Sequence, residues 1–312
     1  MRIYILDTVH PSLLAGLRQM GFSLIEEYQK SAVEIPWSEM EGIVIRSRFP
    51  LDASLLEKAS NLKLIARVGA GLENIDRDYC AAKNIELIAA PEGNRNAVAE
   101  HAIGMLLSLL NRLRIADKEV RSGLWLREEN RGFELATRTV GIIGYGQMGS
   151  ALAEKLKALG CRVLSYDKYK KDYAPAGIEE VSLASLQAEA DILSIHVPQT
   201  SETVKMVNAS FLAAFKKPIH LLNTARGKIV ESEALVTALE SGAVLGAGLD
   251  VLEFEKSSFE TIFQGERPAA LDYLLNSDKI ILSPHIAGWS FESNERMAMV
   301  IVEKVKNLNY VL

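Results

Sequence analysis

The chain is poor in cysteine and histidine, carries no long apolar run and has no surplus of positive charge. Only two of its 312 residues are cysteine and five are histidine. Cys80 and Cys161 stand alone, without the paired spacing of a zinc site or a redox motif, so they read as buried reduced thiols and no metal is expected. No apolar stretch approaches the roughly 20 residues that cross a bilayer, which excludes a membrane partner of that kind. The opening MRIYILDTVH reads as a short strand rather than a secretory signal, and a soluble cytoplasmic protein is expected. Thirty-five Lys and Arg against 40 Asp and Glu leave a formal charge of −5, with the basic residues scattered. A polyanion therefore finds no landing surface, and nucleic acid is not expected as a partner.

What is present is length enough for two cores and a repeated alternation of strand and helix patterns. Strand-like runs at 2–6, 42–45, 64–67 and 86–88 alternate with helical stretches near 11–20, 51–59 and 75–83. Residues 97–116 are apolar nearly all round, as in a helix buried between domains or subunits. From Val140 onward come six further strand candidates, at 140–143, 162–166, 191–195, 219–223, 245–249 and 279–283, which fit a doubly wound sheet. The closing FESNERMAMVIVEKVKNLNYVL is helical in pattern and is expected to pack back onto the first domain. Residues 253–278 form the least regular stretch, and a long irregular insertion is usually functional or mobile.

The apolar run TVGII leads directly into GYGQMG, placing Gly144, Gly146 and Gly149 at the spacing of a dinucleotide fingerprint. Glycines allow the tight turn and the close backbone approach that a pyrophosphate needs, and the following helix offers its first amides to the anion. The pattern gains weight from its surroundings: a buried-type strand before, a helix-forming run after, and then a second strand ending in Asp167. That carboxylate lies where a ribose hydroxyl is gripped and would repel the extra phosphate of NADP, so NAD is the expected cofactor.

In an open α/β sheet, ligands lie beyond the carboxyl ends of the strands, and polar residues recur there: Asp167, His196, Arg226, Asp250 and His285. His285 closes ILSPH, where an imidazole can take a proton from a substrate hydroxyl near neutral pH. Arg226, in NTARG, offers a planar guanidinium to a substrate carboxylate, with Gly227 allowing an abrupt turn. A carboxylate of DVLEFEK can fix the histidine tautomer, but Glu253 and Glu255 are two residues apart on an extended segment, and spacing does not choose between them. His10, His101 and His220 read as structural, and His196 as a turn residue against the cofactor.

Together the segments IRSR at 45–48, RVGAGLENID at 67–76, NAVAEHAIGMLL at 96–107, GYGQMG, HVP, NTARG, GAGLDV and PHIAG resemble the D-isomer-specific 2-hydroxyacid dehydrogenases over nearly the whole chain. Within that family the chain is most similar to the short D-3-phosphoglycerate dehydrogenases without a regulatory domain. The resemblance implies a Rossmann NAD-binding domain, residues 99–285, inserted into a flavodoxin-like substrate-binding domain formed by 1–98 plus 286–312. Two such domains would close on a cleft about a hinge near residues 97 and 287. It implies Arg226, Glu255 and His285 as the catalytic set, and selects Glu255 over Glu253 because the family's glutamate falls five residues beyond the aspartate of LDV. By the same carry-over, Gln147, Met148, Val197, Thr224, Ala225, Asp250 and Gly288 line the cofactor, with Asp250 near the nicotinamide carboxamide. The backbone amides of Val68, Gly69 and Ala70 hold the substrate carboxylate, which suits small residues that let amides approach an anion.

The implied activity is NAD-dependent interconversion of a D-2-hydroxy acid and its 2-oxo acid, by a homodimer. Arg46 and Arg48, flanking Ser47 after strand GIVI, favour a phosphate distal to the carboxylate and hence 3-phosphoglycerate, an activity of serine biosynthesis. Alternating residues point to opposite faces, which argues against both arginines acting together. Glyoxylate or hydroxypyruvate reduction is the main alternative, and an NAD-sensing corepressor is the reading from another class. Three departures from the family pattern stand out: Glu255 is followed by Lys256 rather than proline, Trp289 occupies a position where smaller residues are common, and ELATRTVG replaces the more usual Gly-Lys before the strand that leads into GYGQMG. The indole either narrows the site or packs under the cofactor.

Overall fold

The computed structural model describes residues 1–255 and 267–308. The central part of the irregular 253–278 stretch therefore lies outside the described residues. The chain divides into two compact units, one built on Met1–Arg95 and Trp289–Leu312, the other on Asn96–Glu255 and Ile262–Gly288. The divisions fall at 95/96 and 288/289, a few residues from the sequence-based boundaries at 98/99 and 285/286.

The first unit holds strands β1 (Arg2–Ile5), β2 (Ser23–Glu26), β3 (Gly42–Ile45), β4 (Leu64–Arg67) and β5 (Glu86–Ala89). They form a parallel sheet in the order β2-β1-β3-β4-β5, the flavodoxin-like order. Ile3, Ile5 and Val44 enter the core on one face, whereas Tyr4, Leu6, Ile43 and Ile45 enter that on the other, the period-two alternation of a sheet covered on both sides. Strand β2 escaped the sequence reading because SLIE is short, lies at the sheet edge and is exposed at both ends, so it carries little hydrophobic signal. The helix Phe291–Asn307 starts with a reciprocal cap between Ser290 and Ser293 and buries Met297, Ala298, Ile301 and Val305 against this sheet. Each of the larger of these side chains contributes on the order of 2 kcal/mol by leaving water.

The second unit holds β6 (Thr139–Ile143), β7 (Arg162–Tyr166), β8 (Glu179–Glu180), β9 (Ile192–Ile195), β10 (Ile219–Asn223), β11 (Val244–Leu249) and β12 (Ile280–Leu282). All pair in parallel, in the order β12-β11-β10-β9-β6-β7-β8. Counted from β6 this is the doubly wound order 3-2-1-4-5-6 with a seventh strand added, and the order reverses between β6 and β9. Six strands were expected. The seventh, β8, consists of two exposed glutamates and has no apolar pattern to find.

The single helix expected at 97–116 is in fact two. The first runs Pro91–Leu110, opening on a proline whose fixed φ suits a first turn, and buries Ala99, Ala102, Met105 and Leu106. Arg112 then turns left-handed at φ 51°, and a second helix, Leu113–Arg121, follows with no buried residue. Apolar composition alone did not reveal the break, because Arg112 carries no glycine-like marker for a positive φ.

Candidate active site

The glycine loop between β6 and the helix Gln147–Ala158 is shaped by close backbone contacts. Gly144 sits at φ +91°, and a Cβ there would lie 2.5 Å from the carbonyl oxygen of His196, so neither conformation nor space admits a side chain. A Cβ on Gly149 would meet the Gly144 carbonyl at 2.0 Å, which is how the helix comes so close to the loop. Gly146 differs. A Cβ there would meet nothing within 4 Å, and this residue caps the helix with no side-chain hydrogen bond. Open space beside the first turn of the helix fits a pyrophosphate.

Asp167, just beyond β7, accepts from the amides of Tyr145, Tyr169 and Lys170 at 2.9, 3.0 and 3.2 Å. Burial works against its ionisation, but the three amides and the Lys170 charge outweigh it and hold the carboxyl below the usual range. The acid therefore stays charged and fixed to the glycine loop, beside the helix terminus. Thr224, after β10, is buried and its Oγ1 has no hydrogen-bond partner among the described residues, an orphaned group of the kind a ligand satisfies. These features together fit a dinucleotide.

A second cluster forms beyond β11 and β12. Asp250 is 1% exposed, and its Oδ1 accepts from Ser283 Oγ at 2.6 Å and the Ile286 amide at 2.8 Å, while Oδ2 accepts from the Ala287 amide at 2.8 Å. Its carbonyl takes the His285 amide at 2.7 Å. Asp250 thus clamps the PHIAG loop, a scaffolding task that the sequence did not reveal. Because Ser283 gives its one proton to Asp250, His101 Nε2, 2.8 Å from Ser283 Oγ, is the donor in that pair. His101, set aside as structural, belongs to this support network. A histidine on an apolar helix face was the only available signal.

His285 is clamped at φ +55°, a left-handed conformation rare for a side chain of this size. Its Nδ1 lies 2.9 Å from Glu255 Oε2. An ionised carboxylate only accepts, so Nδ1 carries the proton and Nε2 is the basic nitrogen of the neutral ring. The other Glu255 oxygen takes the Leu252 amide, which anchors the carboxylate to its own turn. Glu253 points elsewhere: it accepts from the Ser232 amide at 2.8 Å and lies 3.7 Å from Lys205. The structure thus makes the choice that spacing left open.

The NTARG loop packs against this turn. Asn223 bridges to the Arg226 carbonyl at 2.9 Å, and Arg226 Nη1 donates to the Ala225 carbonyl at 2.6 Å. Gly227 is required for proximity rather than for a turn, since a Cβ there would lie 1.9 Å from the Leu252 carbonyl. His196 keeps its partly buried ring on Ser194 Oγ at 2.8 Å, and burial pushes its pKa down to about 4. It is neutral wherever the protein is folded near neutrality.

In the first unit, the expected three-amide cradle is only partly available. Val68 N already donates to Ile45 O and Gly69 N to Arg67 O, each at 2.9 Å, whereas among the described residues the amides of Ala70 and Gly71 have no acceptor. A Cβ on Gly69 would fall 1.2 Å from the Arg67 guanidinium, which would have to move aside. Nor do Arg46 and Arg48 form a paired anion site. Arg48 donates to the carbonyls of Leu6, Glu27 and Lys30 at 2.8, 2.6 and 2.5 Å and lies over the Phe49 ring, so its fork is spent on the fold. The guanidinium carbon of Arg46 lies over the Trp289 indole, 4.0 Å from the ring centroid.

Residues 103–287 match the family described as D-isomer specific 2-hydroxyacid dehydrogenase, NAD binding domain. A D-3-phosphoglycerate dehydrogenase of Archaeoglobus fulgidus is 32% identical over 99% of this chain but only 57% of its own length, so the chain spans little more than half of that relative. A hydroxypyruvate reductase of Thermotoga maritima is 34% identical over 86% of this chain and 84% of its own. Among solved structures, the D-lactate dehydrogenase of Aquifex aeolicus complexed with NAD and lactic acid superposes with a TM-score of 0.82, at 32% identity, over 99% of this chain and 95% of its own.

Proposed function

The chain belongs to the D-isomer specific 2-hydroxyacid dehydrogenase family, and from that premise we propose that it interconverts a D-2-hydroxy acid and its 2-oxo acid with NAD, D-3-phosphoglycerate being the first candidate substrate. The observation that carries this reading is the His285–Glu255 pair at 2.9 Å on a loop clamped by Asp250. Nicotinamide supplies the hydride acceptor when NAD is bound. His285 Nε2 takes the proton of the substrate hydroxyl as the C2 hydrogen departs, and Glu255 stabilises the imidazolium that results. Arg226 holds the substrate carboxylate. Asp167 favours NAD over NADP by charge, with Gly144, Gly146 and Gly149 giving room for the pyrophosphate.

One observation favours a second substrate. With Arg48 bound to three carbonyls, a single guanidinium remains for a distal phosphate, which suits hydroxypyruvate or glyoxylate better than the paired-arginine arrangement would.

We further propose a homodimer in the cytoplasm. The interface is not the Pro91–Leu110 helix, which is largely buried, but the segment after it. Leu113, Val120, Leu124, Trp125 and Phe133 are all exposed, Trp125 by 76%, on a helix and loop that bury almost nothing in the monomer. Such a patch calls for a partner. A monomeric mass by light scattering at micromolar concentration would contradict this.

The function is tested by following NADH with 3-phosphoglycerate and NAD, and with hydroxypyruvate or glyoxylate and NADH. Turnover of any of these that is lost in His285→Ala supports the reading. Wild-type protein that binds NADH yet turns over none of the acids overturns it.

A further inference from the structure

Arg46 is held at both ends. Its amide donates to Asp7 Oδ2 at 2.6 Å, its carbonyl accepts from Asn74 Nδ2 at 3.5 Å, and its guanidinium lies 4.0 Å from the centroid of the Trp289 ring. Among the described residues that guanidinium donates no hydrogen bond, in contrast to Arg48, whose nitrogens serve three carbonyls. A guanidinium held against an aromatic face keeps its N–H donors for another partner, and a carboxylate or phosphate is the acceptor that suits them. Burial disfavours the charge on Arg46 and nearby Asp7 partly restores it, so the cation is kept charged but incompletely solvated. Trp289 is itself 66% exposed. An indole in that position gains little by burial, and its evident contact is the arginine.

We infer that Trp289 is a positioning residue that holds the Arg46 guanidinium ready for the second anionic group of the substrate, and so sets a preference for 2-hydroxy acids with a charged distal end over those without one. The inference rests on the dehydrogenase reading for its substrate class. Trp289 acts through Arg46 and touches no reacting atom. The aromatic face is what matters, so phenylalanine replaces it and alanine does not.

The test uses binding as well as turnover. NADH with 3-phosphoglycerate forms a ternary complex that does not react, because both partners are already reduced, and its dissociation constant is read by calorimetry beside that of D-glycerate, which lacks the phosphate. Trp289→Ala is expected to weaken 3-phosphoglycerate about fivefold or more. Binding of D-glycerate should not change, Trp289→Phe should restore most of the loss, and Arg46→Ala with Trp289→Ala should be no worse than Arg46→Ala alone. In steady state the same loss should enter KM for the phosphorylated acid and leave kcat with hydroxypyruvate unchanged. Equal weakening of both acids, additive losses in the double variant, or a wild-type protein that binds D-glycerate as tightly as 3-phosphoglycerate would each overturn the inference. Hydroxypyruvate turnover in the same preparations separates that failure from failure of the dehydrogenase reading, which falls only if no acid is turned over.

Discussion

At the end of β4 of the first unit the chain presents Arg67 and beyond it Val68, Gly69 and Ala70, and beyond β3 it presents Arg46. Beyond β12 of the second unit it presents Ser283, Pro284 and His285, tied back to Asp250 and Glu255. The first set offers cations and amides, donors for an anion, with no base among them. The second contains an imidazole, His285, hydrogen-bonded to a carboxylate, together with the glycine loop. Both sheets are parallel and place their loops at the same kind of edge, so fold alone does not separate them. What separates them is the support behind each side chain: a carboxylate holds the imidazole of the second set, whereas the guanidinium groups of Arg48 and Arg46 lie on carbonyls and an indole. The contrast between the two sets can be broken.

The largest expected effect is at His285. His285→Ala should lower kcat by about 10²- to 10⁴-fold while NADH binding, read by nicotinamide fluorescence, stays near wild type. A modest loss would move the base elsewhere and dissolve the comparison.

Acid should act through two partly buried rings of the second unit. His196 and His220 are pushed down to about 4, the first by burial and the second by burial and then by Arg138. Their folded pKa lies below the unfolded value of 6.5, so the stability they contribute is complete above that value and is lost as pH falls through about 4. For a shift of this size the loss approaches roughly 3 kcal/mol per ring. Urea unfolding at pH 7 and pH 4.5 should show it, and His196→Gln should flatten the slope. An unchanged slope would mean that the ring is hydrated in the folded protein.

Arg48→Ala sharpens the contrast within the first unit. Losing three carbonyl partners should cost about 2 kcal/mol in urea unfolding. The preference for phosphorylated over unphosphorylated acid should stay the same, whereas Arg46→Ala should do the reverse. Glu255→Gln keeps the shape but removes the charge that stabilises the imidazolium, and about a tenfold fall in kcat is expected. Stability should move least in Gly146→Ala, within about 0.5 kcal/mol, because the added methyl meets no protein atom. Its NADH affinity should nevertheless fall several-fold, since the space is reserved for the nucleotide. Unchanged affinity would place the pyrophosphate elsewhere.

The sequence made the larger architecture legible. Strands rich in Ile, Val and Leu, separated by helix-length segments, leave few solutions other than two parallel sheets, and the GYGQMG spacing marked where the second begins. It missed β2 and β8, whose residues are exposed and few. It joined two helices at Arg112, because a left-handed arginine carries no mark in the sequence. It named Arg226, His285 and Asp167 from their places at strand ends, but read Asp250 as a cofactor contact without its clamping of the PHIAG loop.

Period and spacing are local properties, so the chain by itself determined the two parallel sheets, the glycine loop and the set of polar residues that end the strands. Partnership is not local. Glu255 rather than Glu253 on His285, three carbonyls on Arg48 and an indole under Arg46 join residues 30, 18 to 42 and 243 positions apart. Only the packed fold fixes which groups at such separations come within hydrogen-bonding or stacking distance, because a shift of one residue along a strand or turn sends a side chain to the other face.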